Sequence, residues 1–278
     1  KVKNIIAVAS GKGGVGKSTV ATNLALALAK TGSKVGLLDA DIYGPSMPIM
    51  MGLKGERPGA LEEGGKTKIV PIEKFGVKML SIGFFIEENK ALMWRGAMAS
   101  NALQQLFNDA VWGELDYMVL DLPPGTGDIH LTLVQSVPVT GAVIVTTPQN
   151  VALADVRKAA DMFKNDSIKV PILGVVENMA YFTPAELPDN KYYIFGKGGG
   201  QIVANELGVD LIGQLPIVES IAVGGDSGVP IVMDPQSPVT EEFMKMANAL
   251  KDKVEARNVE MAPTPIVQID PNANCAAD

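Results

Sequence analysis

One octapeptide constrains this chain more than any other stretch: Gly11-Lys12-Gly13-Gly14-Val15-Gly16-Lys17-Ser18. It meets every fixed position of G-x-x-x-x-G-K-S/T, a loop whose backbone N–H groups cradle phosphates. The flanks fit as well. Ile5 to Ala9 is an apolar run of strand character, and from Ser18 onward Val20, Leu24 and Leu28 recur at helical spacing. Gly11, Gly13, Gly14 and Gly16, with Val15 among them, let the backbone approach an anion closely, and the helix N-terminus adds a dipole that favours negative charge. Lys17 is expected to reach the β- and γ-phosphates of a nucleotide and Ser18 to bind Mg2+ through its hydroxyl, with Thr19 joining the nucleotide contacts at the opening of the helix.

Apolar strand patterns and helical patterns alternate from Ile5 to about Val254, the signature of an α/β fold with a mostly parallel, doubly wound sheet. Strands are expected near Ile5 to Ala9, Val35 to Leu38, Val77 to Ile82, Tyr117 to Leu120, Ala142 to Thr146, Ile172 to Val176 and Leu211 to Leu215. Helices are expected near Ser18 to Lys30, Ser100 to Val111, Ala152 to Phe163, Gly200 to Leu207 and Thr240 to Arg257. The Gly-, Lys- and Glu-rich stretch from Gly52 to Gly76 suggests an exposed hairpin between Lys68 and Lys78. No Pro/Gly/Ser-rich linker divides the 278 residues, so one ATPase-type domain over 1–261 is expected. After it, residues 262–278, with Pro263, Pro265 and Pro271, lack periodicity and read as a flexible tail. The start at Lys1, almost inside the first strand, suggests an upstream segment or domain.

Two acidic motifs bear on whether the loop acts as an engine or a holder. In "LLDADIYGPS", Asp39 and Asp41 stand at the carboxyl end of a predicted strand, the edge where open α/β sheets place their ligands, and Asp39 is a candidate Mg2+ residue. In "YMVLDLPPGTGD", an apolar strand ends in Asp121, the arrangement of a carboxylate that supports Mg2+ beside a P-loop serine. The Pro123-Pro124-Gly125-Thr126-Gly127 loop follows, where the Gly125 N–H could meet a γ-phosphate and move when it leaves.

A formal charge of −7 argues against a surface built for nucleic-acid phosphates. One cysteine, Cys275, rules out an intramolecular disulfide and a zinc site drawing on two thiolates of these residues. With no apolar run long enough to span a bilayer and no signal-peptide pattern, no membrane partner and a cytoplasmic setting are expected.

The residues resemble the deviant Walker A ATPases, which include MinD, ParA, the nitrogenase iron protein and the Mrp/ApbC iron-sulfur cluster carriers. The mark of that class is the extra lysine, matched by Lys12. The resemblance implies a homodimer with nucleotides sandwiched between subunits, Lys12 reaching the partner's phosphates as an arginine finger does in trans. Likeness to Mrp/ApbC runs from about Lys3 to Leu250 and is carried by "DADIYGPSMP", "WRGAMASNALQQL", "DLPPGTGDIHLTL", "TTPQNVALADVRK", "VVENMAYF" and "FGKGGGQIVANELG". It implies ATP as ligand, Asn178 on the adenine, Asp41 near the attacking water, and iron-sulfur client or scaffold proteins as partners. Asn178 offers the paired donor and acceptor that a base edge matches, although it could equally be a turn residue after its strand. Arg95 is a candidate with a surface role equally open.

The chain departs from its relatives at one point. Cluster carriers of this family usually have C-x-x-C shortly after the Tyr-Phe pair, so that two subunits give four thiolates to one 4Fe-4S cluster. Here "AYFTPAELPDNKYY" puts Pro184 and Leu187 at those places. The resemblance therefore does not carry a family-type 4Fe-4S site onto this sequence. Cys275 with carboxylates or borrowed thiolates stays open, while Glu186, Asp189, Tyr192 and Tyr193 read as loop cover. The leading reading is an ATP-hydrolysing dimer acting in iron-sulfur cluster assembly or transfer. A nucleotide-gated positioning switch of the MinD/ParA kind and a small-molecule phosphotransferase like dethiobiotin synthetase are the alternatives.

Other features read as structure. "GKGGG" from Gly196 lacks a G-K-S/T ending and serves as a turn before a helix. His130 is expected to pack or hydrogen-bond on the helix after the Asp121 loop. Met47, Met50 and Met51 suit either an adaptable contact or core packing. Phe243, Met246, Leu250 and Val254 mark a helix packed on one face.

Overall fold

The computed structural model describes residues 1–85, 96–166 and 168–264. Arg95, Cys275 and the tail beyond 264 lie outside the described residues. The strands are β1 (Val2–Ser10), β2 (Val35–Asp39), β3 (Gly59–Glu63), β4 (Lys66–Val70), β5 (Ile72–Lys74), β6 (Val77–Ser81), β7 (Leu115–Asp121), β8 (Gly141–Thr146), β9 (Ile172–Glu177) and β10 (Leu211–Gln214). The helices are α1 (Lys17–Lys30), α2 (Met47–Met50), α3 (Gly96–Asn108), α4 (Asp128–Ser136), α5 (Asn150–Lys164), α6 (Gly199–Leu207), α7 (Glu219–Ser227) and α8 (Pro238–Glu260).

An eight-stranded sheet runs in the order β10-β9-β8-β1-β7-β2-β6-β5, and every neighbour is parallel except β5, which turns back on β6. Alternation along the central strand divides the core. Ile6 and Val8 join the cluster that holds Leu24 and Leu28 of α1 and Phe243 and Leu250 of α8. Ile5, Ala7 and Ala9 join the opposite cluster, with Leu103 and Leu106 of α3 and Leu133 and Val134 of α4. A third cluster seats α5 and α6 on β8 and β9 through Leu153, Val156, Val203 and Val175. Truncating one of these buried leucines to alanine costs about 2–5 kcal/mol. The doubly wound sheet expected from the sequence is thus observed, with Phe243, Met246, Leu250 and Val254 all buried.

The differences have local causes. The helix expected near Ser100 to Val111 begins at Gly96 and stops at Asn108, because the next residues pair with β4. The Ile69 N–H donates to the Asp109 carbonyl, and the Val111 N–H donates to the Ile69 carbonyl. The hairpin expected between Lys68 and Lys78 is β5–β6, but β6 is a mostly buried strand of the main sheet. The exposed hairpin is instead β3–β4, turning through Gly64 and Gly65 with φ of 60 and 76. Two successive positive φ values define the tight hairpin turn that suits strand twist, and glycine adopts them without strain. Helices α2 and α7 escaped the sequence reading because Pro and Gly-Gly interrupt their patterns, whereas α4 is the helix expected after the Asp121 loop to carry His130. Met47 and Met51 are fully buried, so core packing accounts for both.

Candidate functional site

Parallel register brings the carboxyl ends of β1, β7 and β2 side by side, with Val8 opposite Asp121 and Asp121 opposite Asp39. The loop from Gly11 to Gly16 leaves that edge and enters α1. Gly16, the N-cap of α1, has φ 80 and ψ 25, and a Cβ there would lie 2.2 Å from the Asn178 amide nitrogen. Both the left-handed backbone and the close approach exclude a side chain. Gly11 is equally confined, since its Cβ would lie 2.2 Å from the Asp155 backbone in α5.

Beneath the loop is a buried charged cluster. The Lys17 ammonium, 5% exposed, donates to Asp121 Oδ1 at 2.5 Å and lies 3.9 Å from Asp41 Oδ2. Ser18 Oγ donates to Asp121 Oδ2 at 2.6 Å. Asp41 Oδ1 accepts the Tyr43 and Gly44 N–H groups at 3.2 and 3.3 Å, which leaves Oδ2 turned towards Lys17. Asp39 is wholly buried. Its Oδ1 accepts the Asp41 N–H at 3.1 Å, and its Oδ2 accepts the Ser81 hydroxyl at 2.8 Å.

Burial, reinforced by the neighbouring Asp121 charge, pushes the Asp39 carboxyl up to about 7 against the pull of Ser81, the Asp41 N–H and Lys17. Burial also raises Asp121, with the Lys17 charge and the Lys17 and Ser18 hydrogen bonds opposing it. Lys17 thus neutralises a carboxylate that would otherwise be costly to bury.

Of the residues expected to hold Mg2+, Ser18 and Asp121 are brought together, whereas both Asp39 oxygens are engaged inside the protein. Among the described residues no group of three or more His, Cys, Asp or Glu is arranged to hold a metal. One hydroxyl and one carboxylate nonetheless suit Mg2+, which usually takes one or two protein carboxylates and completes its shell with phosphates and water. The Gly125 N–H donates to the Ser10 carbonyl at 3.1 Å and does not face the loop cavity.

A cavity of about 220 Å³ lies over the loop, bordered by Lys12, Gly13 to Thr19, Asp41 and Pro124. It adjoins a second of about 630 Å³, the two sharing Gly16, Thr19, Ser46 and Met50. The larger is walled by Met179, Phe195, Pro216, Ile217 and Ile221, and Asn178 sits at its inner edge. Asn178 Nδ2 donates to the Val15 carbonyl at 2.9 Å, and among the described residues no hydrogen bond engages its Oδ1. Those apolar walls were absent from the sequence reading. The available signal was Pro216 just beyond β10, at the same strand edge. Among the described residues no ion pair engages the Lys12 ammonium, which borders the loop cavity and a third one of about 180 Å³ beside Thr147, Gln149 and Phe195.

Loop 181–195 follows β9. Phe182 and Tyr192 exchange backbone hydrogen bonds of 2.8 Å, and the Lys191 ammonium lies 4.2 Å from the centre of the Tyr181 ring. Leu187, at one of the positions where the resemblance places cysteine, is exposed, as are Glu186 and Asp189. Its counterpart Pro184 offers no ligand either. No described helix is long and apolar enough to cross a membrane.

The family model for the ParA-type NUBPL iron-transfer P-loop NTPase matches residues 1–251. An iron-sulfur cluster carrier protein of Aquifex aeolicus is 52% identical over 259 residues, covering 92% of this chain and 69% of that protein. The nucleotide-binding protein of Archaeoglobus fulgidus, solved in complex with ADP, superposes with a TM-score of 0.74 at 38% identity, over 87% of this chain and 92% of that one. MinD of Pyrococcus horikoshii, solved with Mg-ADP, shares the fold with a TM-score of 0.68 at 22% identity, over 92% and 99% of the two chains.

Proposed function

Because the chain belongs to the ParA-type NUBPL iron-transfer P-loop NTPases, we propose that it acts in iron-sulfur cluster transfer as a slow, Mg2+-dependent ATPase working as a homodimer. The observation that carries this reading is the Lys17–Asp121–Ser18 cluster at the floor of a glycine-lined cavity that opens onto an apolar one. The two compartments suit a triphosphate and a base, and their size lies in the range of small-molecule sites.

Arriving phosphates compete with Asp121 for the Lys17 ammonium. The lysine turns to the β- and γ-oxygens, and Ser18 and Asp121 are left to hold Mg2+, which supplies charge neutralisation when bound. Asp41 Oδ2 accepts a hydrogen bond from water and aligns it with the γ-phosphorus. Water oxygen bonds to phosphorus as the bond to the β–γ bridging oxygen breaks, giving ADP and phosphate, and the water proton passes to phosphate or solvent. Positioning and charge account for most of the acceleration. In the larger cavity, the Asn178 Oδ1 suits the exocyclic amine of adenine and repels the carbonyl oxygen that guanine presents there. Lys12, which no ion pair engages among the described residues, is the group available to complete the second subunit's site.

The cluster is cargo. Four thiolates are its usual complement, and the sequence offers Cys275 alone, so the remaining ligands would come from an iron-sulfur client or scaffold protein. The same shortage favours, as a second reading, a nucleotide switch with no cluster of its own. Steady-state ADP release tests the ATPase reading: Lys17→Ala and Asp41→Ala should lower it, and Lys12→Ala should lower turnover more than nucleotide affinity. Anaerobic reconstitution with iron and sulfide, comparing wild type with Cys275→Ser by absorbance, tests the cargo reading.

A further inference from the structure

The loop between β7 and α4 joins Asp121 to the phosphate cavity, and its shape is held by a buried side chain that the mechanism above does not use. His130, 4% exposed in the first turn of α4, spans the loop from beneath. Its Nδ1 accepts the Gly127 N–H at 3.0 Å and lies 3.2 Å from the Gly127 carbonyl, while Nε2 faces two carbonyls and has only acceptors beside it. A backbone N–H can only donate, so the ring proton is on Nε2, which donates to the Pro123 carbonyl at 2.7 Å and lies 3.1 Å from the Pro124 carbonyl. One ring therefore fixes both ends of the Pro123-Pro124-Gly125-Thr126-Gly127 segment. Two further contacts tie that segment to the site: Pro124 borders the loop cavity, and the Gly125 N–H is held on the Ser10 carbonyl, where β1 passes into the P-loop.

We infer that His130 is a positioning residue for ATP hydrolysis, the internal strut that sets where the Pro124–Gly125 backbone stands relative to the γ-phosphate. This rests on the ATPase reading. Without the strut the Gly127 N–H and the Pro123 carbonyl lose their partner, and the loop samples positions in which Pro124 leaves its place at the border of the phosphate cavity. Displacements of about 1 Å at a reacting centre reduce rates by up to about a hundredfold. ADP lacks the γ-phosphate, so its affinity depends little on this loop.

The test compares wild type, His130→Ala, His130→Leu and His130→Gln for ATP turnover, ADP affinity by calorimetry and exchange of the Gly127 amide. Gln retains a donor that can reach the Pro123 carbonyl, whereas Leu fills the space without polar atoms. Expected are a turnover about tenfold or more below wild type in His130→Ala and His130→Leu, partial recovery in His130→Gln, ADP affinity within twofold throughout, and faster Gly127 exchange in the Leu variant. If His130→Ala fails to fold, the Leu and Gln pair decides. Turnover near wild type in His130→Leu, a matching loss of ADP affinity, or Gln no better than Leu would each overturn the role. Lys17→Ala run alongside separates the two readings: unchanged hydrolysis there sinks the ATPase proposal, while an unchanged Gly127 exchange rate in His130→Leu sinks the strut on its own.

Discussion

Two loops leave the same edge of the sheet and are built in opposite ways. The phosphate loop after β1 closes over Lys17 and Asp121, which are 5% and 0% exposed and bonded to each other. Loop 181–195 after β9 leaves Leu187 48% and Ile194 60% exposed, with backbone bonds and ring contacts as its ties. Burial makes each charge in the first loop dependent on its partner, so chemistry there is specified residue by residue. Exposure makes the second tolerant up to Tyr193, before Ile194 and Phe195 line the larger cavity, and those residues can diverge from those of relatives without disturbing the fold. The contrast teaches that the loop over Lys17 and the loop after β9 are held under different physical constraints.

The largest effect that would sharpen the contrast is in turnover. Lys17→Ala should lower kcat about a thousandfold, as the loss of a charge-stabilising donor does, and ADP release measured by coupled assay checks it. Asp39→Asn comes next and acts on stability. Its folded value of about 7 stands above the ordinary aspartate value of 3.8. The folded protein therefore holds that proton longer than the unfolded chain, and the group's contribution weakens as pH rises from about 4 to about 7. Replacing it with the amide, which can still accept from Asp41 and donate to Ser81, should raise stability at pH 8 by roughly 2–4 kcal/mol and change little near pH 4. Urea melts at the two values decide this, and a loss at pH 8 would show that the Asp39 charge is needed.

Gly16→Ala is smaller. A left-handed φ in a non-glycine residue costs about 1–3 kcal/mol, and the new methyl displaces Asn178, so thermal stability and preference for adenine over guanine nucleotides should fall together. The smallest effect belongs to the other loop. Tyr192→Ser should move stability by no more than about 0.5 kcal/mol and leave ATP turnover unchanged, and a larger change in either would break the comparison.

The legible parts of this site are the ones whose determinants are contiguous. Gly11 to Ser18 carries its own turn chemistry, and Asp41 and Asp121 announce themselves at the ends of apolar strands. The larger cavity was hidden because α2, Met179, Phe195, Pro216 and Ile221 meet only once the sheet is assembled. Asp39 is a candidate Mg2+ residue in the sequence, yet neighbouring register sets it against Ser81. His130 was read as a hydrogen-bonding residue of its helix, and its span of the loop was hidden because its partners are backbone groups, which no side-chain pattern reports. The end of α3 was misjudged because a pairing with β4, remote in sequence, overrode local helical preference.

The central claim is that Lys17 exchanges its carboxylate partner for nucleotide phosphate. Titration calorimetry with ADP and Mg2+ tests it most directly, on wild type and on Lys17→Ala with the fold of each checked by circular dichroism. The account expects saturable binding at one site per chain that Lys17→Ala weakens at least tenfold. Absence of binding to the folded wild type, or equal affinity in the two proteins, would contradict it.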